Sequence, residues 1–234
     1  MRVDNVSDSS QIFRMQSAPT QSGFIPAFPV LGLYDPAIRL LTRERAWRAA
    51  LRAMLAPHAD GMIVDAGCGT GTLLTAIGRD FPAAQLVGVD PDPRILTRAA
   101  AKLRDAGVPA TLKQGYLRDL ATLLAGRDVR AIVSSLVFHQ VPMAEKRAGL
   151  AAVHGMLAPG GLLLIADYGA QRSFAMRTLF RLVQAVDGTA TTQPNADGVL
   201  PGLIRAAGFA DVAEPHRFAT ATGSISIYRA IKPA

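Results

Sequence analysis

From Gly61 onward, short aliphatic segments alternate with longer segments of helical spacing, and this alternation constrains the fold more than any other feature. The short segments are β-branched or aliphatic runs that end near turn residues, which is typical of strands. Regular alternation of strands and helices favours a parallel sheet with helices on both faces. The predicted strands are 62–67, 85–90, 110–114, 130–137 and 162–168, and the predicted helices are 72–81, 95–107, 117–126 and 144–158.

The pattern changes after Tyr168. A basic amphipathic stretch at 171–186 precedes a loop-rich segment, a predicted helix at 200–207 and two predicted strands at 212–219 and 224–230. The short turn at 220–223 predicts an antiparallel hairpin, because a parallel pair needs a crossover of about a dozen residues or more. The sequence therefore predicts a mostly parallel α/β sheet with an antiparallel edge.

The region before Gly61 has two parts. Residues 1–30 are rich in Ser, Gln, Asn and Pro and lack a sustained period, which indicates a flexible arm or a segment that orders over a site. Residues 31–57 place apolar side chains at helical spacing between arginines, and we predict a cap helix that packs on its own domain rather than on a membrane. We expect one domain, 31–234, with a substrate roof at 171–200.

Composition narrows the possible classes of protein. Hydrophobic residues make up 50% of the chain and charged residues 18%, which suits a folded core and argues against disorder. A single cysteine cannot form an intramolecular disulfide, and no Cys/His cluster has zinc-site spacing, so we predict no metal. The polar start MRVDNVSDSS lacks a secretory signal, and Pro159 interrupts the longest charge-free stretch. We expect a soluble, cytoplasmic protein.

The net charge of +7 raises the question of a polyanionic partner. The basic residues are 21 Arg and 4 Lys, and they are dispersed, without a basic run or interleaved aromatic residues. A solvated basic surface explains this pattern better than a nucleic-acid site. A membrane surface stays open as a partner but is not favoured, and the oligomeric state does not follow from the sequence.

The strongest motif is VDAGCGTG at 64–71, between a predicted strand and a predicted helix. Glycines at 67, 69 and 71 allow a tight turn and a close approach of a ligand to the backbone. The N–H groups at the start of the following helix favour an anionic or oxygen-rich ligand. The spacing G-x-G-x-G lacks the extra residue of the dinucleotide fingerprint, and no lysine stands where a phosphate-binding P-loop requires one.

An acid follows at the end of the second predicted strand, where Asp90 closes QLVGVD. An acid at this place in a doubly wound sheet can accept hydrogen bonds from both ribose hydroxyls. A helix N-cap is the alternative role for Asp90, since Pro91 follows it. The spacing between Gly71 and Asp90 along the sequence favours ribose binding over the N-cap role.

Together these motifs resemble those of the class I S-adenosylmethionine-dependent methyltransferases. The segments 134–139 and 156–161 resemble the family's motif after strand 4 and its Leu-x-Pro-Gly-Gly turn before strand 5, and Tyr34-Asp35-Pro36 is similar to the branch of ubiquinone/menaquinone C-methyltransferases. The resemblance implies a Rossmann-like, doubly wound seven-stranded sheet in the order 3-2-1-4-5-7-6 with an antiparallel last strand, and S-adenosyl-L-methionine as the cofactor.

The resemblance also assigns roles to single residues. Asp65 and the glycines would surround the amino-acid end of the cofactor, and Asp90 would hold the ribose. Tyr116 stands where the family usually has an acid that reads the adenine amine, so Tyr116 would stack on the base or Asp119 would substitute. The implied cofactor-binding residues are Tyr34, Asp65, Gly67, Cys68, Gly69, Gly71, Asp90, Pro91, Gly115, Tyr116, Leu117, Ser134 and Ser135, with Cys68 as a small packing residue.

The acceptor is expected across the carboxyl ends of strands 4 and 5, under the roof. Nucleic acid is disfavoured, because the Asn/Asp-Pro-Pro-aromatic motif of amine-methylating nucleic-acid enzymes is replaced by Ser134-Ser135-Leu136-Val137. His139, Asp167 and Tyr168 are the catalytic candidates. His139 would accept a proton from the acceptor or would only shape the pocket through hydrogen bonds, and Asp167 would be a base or a loop cap.

The expected reaction is in-line attack by an O, N, S or carbon nucleophile of a small, apolar molecule on the sulfonium methyl group. Alignment of the reacting atoms is expected to dominate catalysis. The alternatives are a non-methylating S-adenosylmethionine-binding protein, a lipid methyltransferase at the membrane surface and, less favoured, an NAD-dependent oxidoreductase.

Overall fold

The structure, a computed structural model, describes residues 42–234. Its sheet has seven strands in the order β3-β2-β1-β4-β5-β7-β6. Pairing is parallel from β3 through β5, and antiparallel between β5 and β7 and between β7 and β6. The strands are β1 (Met62–Ala66), β2 (Gln85–Asp90), β3 (Thr111–Gln114), β4 (Val129–Ser135), β5 (Leu157–Tyr168), β6 (Ala210–Thr220) and β7 (Gly223–Ile231). The predicted sheet order and antiparallel edge are confirmed.

Helices cover both faces of this sheet, as the alternation predicts. They are α1 (Glu44–Leu55), α2 (Thr72–Asp80), α3 (Pro93–Asp105), α4 (Leu120–Leu123), α5 (Met143–Met156), α6 (Phe174–Asp187), α7 (Thr189–Ala196) and α8 (Leu200–Ala206). Successive residues of β1 enter opposite layers of the core: Ile63 packs in one apolar cluster and Val64 in the other. The sheet is therefore buried on both faces, which explains its continuous apolar strands.

Helix α1 packs with its apolar side chains against the core. Trp47, Leu51 and Leu55 are completely buried along one side of the helix. Beside this apolar row Arg48 pairs with the buried Glu44, and Arg52 pairs with Asp80 at 3.0 Å. The basic stripe of this helix is thus used partly in local ion pairs. The predicted arm 1–30, Tyr34 and the first part of the predicted cap helix lie outside the described residues.

The Pro-Gly-Gly turn before strand 5 lies within β5 rather than ahead of it. Val129 pairs with Leu157 and Ala131 pairs with Leu162, so the residues between Leu157 and Leu162 form an irregular excursion in the strand. Gly160 donates its N–H to the Lys232 carbonyl at 2.9 Å, which attaches the excursion to the end of the chain. This pairing starts β5 five residues earlier than the predicted strand.

The predicted roof contains two helices where the sequence predicts one helix and a loop. Helix α6 begins after Ser173, whose hydroxyl accepts the Met176 N–H at 3.2 Å, and it ends before Gly188, which has φ of 83°. Helix α7 was not predicted, because its sequence TATTQPNA contains an internal proline and β-branched residues. It forms through burial of Thr192 and Asn195 against the domain.

The carboxyl ends of β1, β2, β3, β4 and β5 lie along one edge of the sheet and carry the motifs singled out in the sequence. Parallel α/β sheets place their ligands at this edge. Within residues 42–234, no helix is both long and apolar enough to cross a membrane, and no group of three or more His, Cys, Asp or Glu side chains is arranged to hold a metal ion.

Candidate active site

The glycine turn after β1 has the backbone shape that the motif predicts. Gly67, Gly69 and Gly71 have φ of 80°, 52° and 73°, which is the left-handed region that favours glycine. The N–H groups of Gly67 and Cys68 both donate to the Val89 carbonyl, at 2.8 and 3.0 Å. The turn is thus fixed to the end of β2, beside Asp90.

The three glycines differ in what surrounds them. A Cβ at Gly67 would overlap the Val137 side chain, and a Cβ at Gly71 would lie 3.1 Å from the Ala99 Cβ. A Cβ at Gly69 would meet no atom of residues 42–234 within 4 Å. Gly67 and Gly71 therefore serve close packing within the protein, whereas Gly69 faces open space in which a ligand can approach the backbone.

Asp65, near the end of β1, is completely buried. Within residues 42–234, neither of its carboxylate oxygens has a hydrogen-bond partner. Burial raises the pKa of Asp65 to about 7, with Arg48 acting in the opposite direction. A buried carboxylate without a hydrogen bond is costly, so this position is suited to a cationic or hydrogen-bond-donating ligand group.

Asp90, at the end of β2, accepts two backbone hydrogen bonds. Its Oδ2 accepts the Gly69 N–H and its Oδ1 accepts the Asp92 N–H, both at 3.0 Å. Burial raises the pKa of Asp90, and these hydrogen bonds oppose the shift. A carboxylate has about four acceptor positions, so two remain for a ligand. The N-cap of α3 is Asp92 rather than Asp90, since the Asp92 carboxylate accepts the Arg94 N–H.

The loop after β3 lies beside Asp90. Gly115 donates its N–H to the Asp90 carbonyl at 3.2 Å, and the carbonyl of half-buried Pro91 accepts from Gln114. Tyr116 is 36% exposed, and the Arg118 guanidinium lies 4.4 Å from its ring centroid.

The other residues of this loop have contacts within the fold. The Asp119 carboxylate accepts the Tyr116 N–H at 2.9 Å, so it caps the local turn. The Leu117 side chain packs against the backbone of α5 at Gly149. In this arrangement Tyr116 is the more available of the two side chains considered for the adenine contact.

Three small residues near the glycine turn, Ser134, Ser135 and Cys68, are buried or half-buried. Ser134 is buried and donates to the Ala66 carbonyl at 2.7 Å, while Ser135 is half-buried at the end of β4. Burial raises the pKa of the Cys68 thiol, whose sulfur would lie 2.9 Å from a Cβ placed at Gly88. Cys68 is thus a protonated packing residue, because a thiol needs a lowered pKa to be reactive at neutral pH.

The catalytic candidates meet in a buried network below the loop that follows β4. His139 Nδ1 lies 2.7 Å from Asp167 Oδ1, and His139 Nε2 lies 3.3 Å from Asp187 Oδ2. The Asp167 carboxylate also accepts the N–H groups of Phe138 and Tyr168, at 2.6 and 2.7 Å. Both ring nitrogens of His139 therefore face carboxylates, and neither is directed at an open site.

Tyr168 is also held from two sides. Its hydroxyl lies 2.7 Å from the Thr222 hydroxyl in the β6–β7 turn, and its ring contacts the His139 ring edge-on at a centroid distance of 4.9 Å. The residue is 5% exposed. The structure thus brings His139, Asp167 and Tyr168 together, but gives each of them a partner within the protein.

Comparison with known proteins agrees with the sheet order and the glycine turn. Residues 63–161 match the family model described as "Methyltransferase domain". The chain is thus similar to methyltransferase domains over this segment, which is less than half of its length.

Similar proteins extend this comparison. A ubiquinone/menaquinone biosynthesis C-methyltransferase from Syntrophotalea carbinolica is 31% identical over 150 residues, which cover 63% of this chain and 62% of that protein. A demethylmenaquinone methyltransferase from Deinococcus radiodurans is 26% identical over 85% of this chain and 83% of that protein. The crystal structure of magnesium protoporphyrin IX methyltransferase from Synechocystis with bound SAH has a TM-score of 0.65 at 18% identity and covers 92% of this chain and 90% of that one. The chain thus spans less than two thirds of the length of the first of these relatives.

Sequence reasoning missed two residues of the buried network around His139, Lys146 and Asp187. Lys146 is completely buried on α5 and donates to the Phe138 carbonyl and, at 3.0 Å, to the Thr191 carbonyl. A signal for Lys146 was present, because it shares helical spacing with Gly149, Leu150 and Val153, the buried face of α5. Asp187 carried no such signal, because its role depends on where α6 ends.

Proposed function

We propose that this chain transfers the methyl group of S-adenosylmethionine to an O, N, S or carbon nucleophile of a small, apolar molecule. One observation carries the proposal: two buried carboxylates, Asp65 and Asp90, flank a glycine turn that is open at Gly69. When bound, the cofactor would supply an activated methyl group on a sulfonium centre. The chain's own residues would bind it, orient it and exclude water.

The residues present fit this cofactor. The carboxylate of Asp65 lacks a hydrogen-bond partner among the described residues and would accept from the ammonium of the cofactor's amino-acid end. The two remaining acceptor positions of Asp90 suit a pair of ribose hydroxyls. Cys68 and the glycines would shape the turn, and the remaining contacts are proposed for Pro91, Gly115, Tyr116, Leu117, Ser134 and Ser135, with Tyr34 outside the described residues.

The acceptor class is proposed from the roof and from the relatives' names. Helix α6 exposes apolar side chains, among them Phe174 and Leu182, at 83% and 59% exposure. Such a surface would suit a small apolar molecule better than a polyanion. The names of the relatives, which include a quinone C-methyltransferase and a demethylmenaquinone methyltransferase, support the same class.

Alignment is the proposed source of most of the catalysis. Positioning of reacting groups can supply on the order of 7–11 kcal/mol. His139, Asp167 and Tyr168 have partners within the fold, so we assign them to holding the site in place rather than to proton transfer.

We also propose a cytoplasmic location and a domain at 31–234 with its roof at 171–200. The single cysteine, buried with a raised thiol pKa, suits a reducing compartment.

Methyl transfer from S-[methyl-³H]adenosylmethionine tests this proposal. The purified protein is incubated with a panel of small phenols, quinols, amines, thiols and carboxylic acids, and extracted products are counted. We expect labelled product with at least one apolar acceptor, and its loss in Asp90→Ala. Cofactor binding without transfer to any acceptor would instead indicate a non-methylating protein, and transfer only to lipid in vesicles would indicate a lipid methyltransferase.

A further inference from the structure

Four charged side chains form a buried cluster behind the loop that follows β4. They are His139 in that loop, Asp167 on β5, Asp187 at the end of α6 and Lys146 on α5. Asp167 and Lys146 are completely buried, His139 is 3% exposed, and the Asp187 side chain is 12% exposed. Groups so deeply buried and ionisable must be paired to be tolerated. Their pairing therefore constrains the elements that carry them.

His139 joins two of these elements directly. Its Nδ1 contacts Asp167 of β5 at 2.7 Å, and its Nε2 contacts Asp187 of α6 at 3.3 Å. In its imidazolium form, a histidine donates through both nitrogens, which matches two carboxylate partners. His139 is thus the link between the sheet edge and the last residue of α6.

Helix α6 buries few of its side chains among residues 42–234. Of its fourteen residues, Phe180 and Val183 are buried. Phe180 contacts the Tyr168 ring at a centroid distance of 5.1 Å. With so little apolar burial, the position of the helix depends strongly on its polar contacts. At the C-terminal end of α6, the Asp187 carboxylate pairs with His139, the Gln184 amide donates to Gln193 at 2.8 Å, and the Asp187 carbonyl accepts from the Thr191 hydroxyl at 2.7 Å.

The loop that holds His139 also packs on the glycine turn. Val137, two residues earlier, fills the space where Gly67 would carry a Cβ. Lys146 fixes the same loop by donating to the Phe138 carbonyl, and it joins the loop to α7 through the Thr191 carbonyl. A continuous set of contacts therefore runs from the glycine turn through this loop to the roof helices.

We propose that His139 is a positioning residue, which holds the C-terminal end of α6 through Asp187 and thereby sets the distance between the roof and the glycine turn. This role rests on the proposed function, since the acceptor would lie between these two parts. It assigns no proton transfer to His139. Breaking the Asp187 contact is expected to release α6 while leaving the glycine turn in place.

The charges that face His139 support an imidazolium. Burial alone would lower the pKa of His139, but the carboxylates of Asp167 and Asp187 outweigh burial and raise the pKa to about 9. From α5, Lys146 approaches the same cluster, and burial lowers the pKa of Lys146 to about 8, with Asp167 opposing this. From β5, the uncharged Tyr168 ring covers the imidazole edge.

The test combines hydrogen exchange with NMR of the histidine ring in wild type, Asp187→Asn, Asp187→Glu and Asp105→Asn. Asp105 is a matched control, because it is an exposed aspartate that ends α3 as Asp187 ends α6. In Asp187→Asn we expect amides of α6 to exchange at least about tenfold faster at neutral pH, with α2 unchanged. Asp187→Glu keeps the carboxylate and is expected to retain most of the protection, and Asp105→Asn to retain all of it.

The protonation state of the His139 ring nitrogens is the second readout. A residue that only fills space would not need an imidazolium, so this readout distinguishes the two roles. With the His139 signals assigned by their loss in His139→Gln, we expect an imidazolium in the wild type at neutral pH and a lower pKa in Asp187→Asn. A neutral ring in the wild type, or equal protection of α6 in wild type and Asp187→Asn, would overturn the proposal. Equal loss of protection in α2 and α6 would also overturn it, by showing general destabilisation.

Binding of S-adenosylhomocysteine to the same variants separates this proposal from the proposed function. We expect the affinity of Asp187→Asn to stay within about twofold of the wild type, because the glycine turn does not contact Asp187. A much larger loss of affinity would count against a role confined to the roof. If the wild type itself fails to bind, the proposed function fails, and the exchange and NMR results still decide the role of His139.

Discussion

At the scale of single residues, Asp65 near the end of β1 and Asp90 at the end of β2 are both buried, but of the two only Asp90 accepts hydrogen bonds from residues 42–234. Asp90 accepts the N–H groups of Gly69 and Asp92, so it shapes the glycine turn as well as offering acceptor positions. Asp65 has no hydrogen-bond partner in the described chain. We propose that a ligand group binds Asp65 and offsets the cost of burying it.

Replacing Asp90 with alanine is expected to weaken binding of S-adenosylmethionine at least about tenfold, or about 1.4 kcal/mol, because a charged hydrogen bond to the ligand is lost. Equilibrium dialysis with labelled cofactor measures this change. Asp80→Ala is the control, since Asp80 lies at the end of α2 and pairs with Arg52 on the surface. An affinity of Asp90→Ala equal to that of the control would contradict the ribose assignment.

Residues near each other in the chain were predictable, and residues joined only by packing were not. The glycine turn and Asp90 follow from spacing along a strand–turn–helix unit, and the structure places them together. The contact between His139 and Asp187 depends on the path of α6 across the sheet edge, for which the sequence has no local signal. The placement of Asp119 as a turn cap likewise depends on the 3₁₀ turn that follows β3.

At the scale of elements, the glycine turn is a loop whose positions have separate roles. Gly69 and Gly107 both have positive φ, of 52° and 65°, and a Cβ at either position would meet no atom of the described part of the chain within 4 Å. Gly107 lies just after α3 and away from the sheet edge. The two glycines therefore form a matched pair that differs in distance from the proposed cofactor.

Gly69→Ala and Gly107→Ala are each expected to destabilise the protein by about 1–2 kcal/mol, because alanine is strained in the left-handed region. Only Gly69→Ala is expected to weaken S-adenosylhomocysteine binding, by at least about tenfold, since its methyl group would occupy ligand space. Thermal denaturation gives the stability change and fluorescence titration gives the affinity. Equal affinities in the two variants would show that Gly69 does not face the cofactor.

Elements with a clear period were predicted, and elements that depend on tertiary contacts were not. The aliphatic runs from β1 to β4, which end near turn residues, gave the approximate bounds of these strands. Helix α7 contains Pro194 and has no apolar stripe, and its Thr191 and Thr192 hydroxyls bond to carbonyls of the preceding turn. Its formation depends on burial against the domain, which a local pattern does not contain.

At the scale of the whole molecule, two buried sites make stability depend on pH in the same direction. The Asp65 pKa is raised from 3.8 to about 7, so its destabilising effect develops as pH rises through that interval. The His139 pKa is raised from 6.5 to about 9, so its stabilising effect is complete below 6.5 and is lost as pH rises towards 9. Lys146 acts oppositely, but only above about 8, where its lowered pKa lies.

Urea denaturation of Asp65→Asn and wild type across this range tests the pH dependence. We expect Asp65→Asn to become progressively more stable than the wild type as pH rises from about 4 to about 7, by about 1.4 kcal/mol for each unit by which the wild-type pKa is raised. The variant is expected to lose cofactor affinity. A stability difference that stays constant with pH would contradict the raised pKa of Asp65.

The central claim, that the glycine turn and its two acids bind S-adenosylmethionine, is tested most directly by calorimetric titration of the purified wild type. Separate titrations use S-adenosylhomocysteine and NADH under the same conditions. We expect saturable heat with S-adenosylhomocysteine and none with NADH. Absence of heat and of any thermal shift with S-adenosylhomocysteine, or binding of NADH in its place, would contradict the central claim.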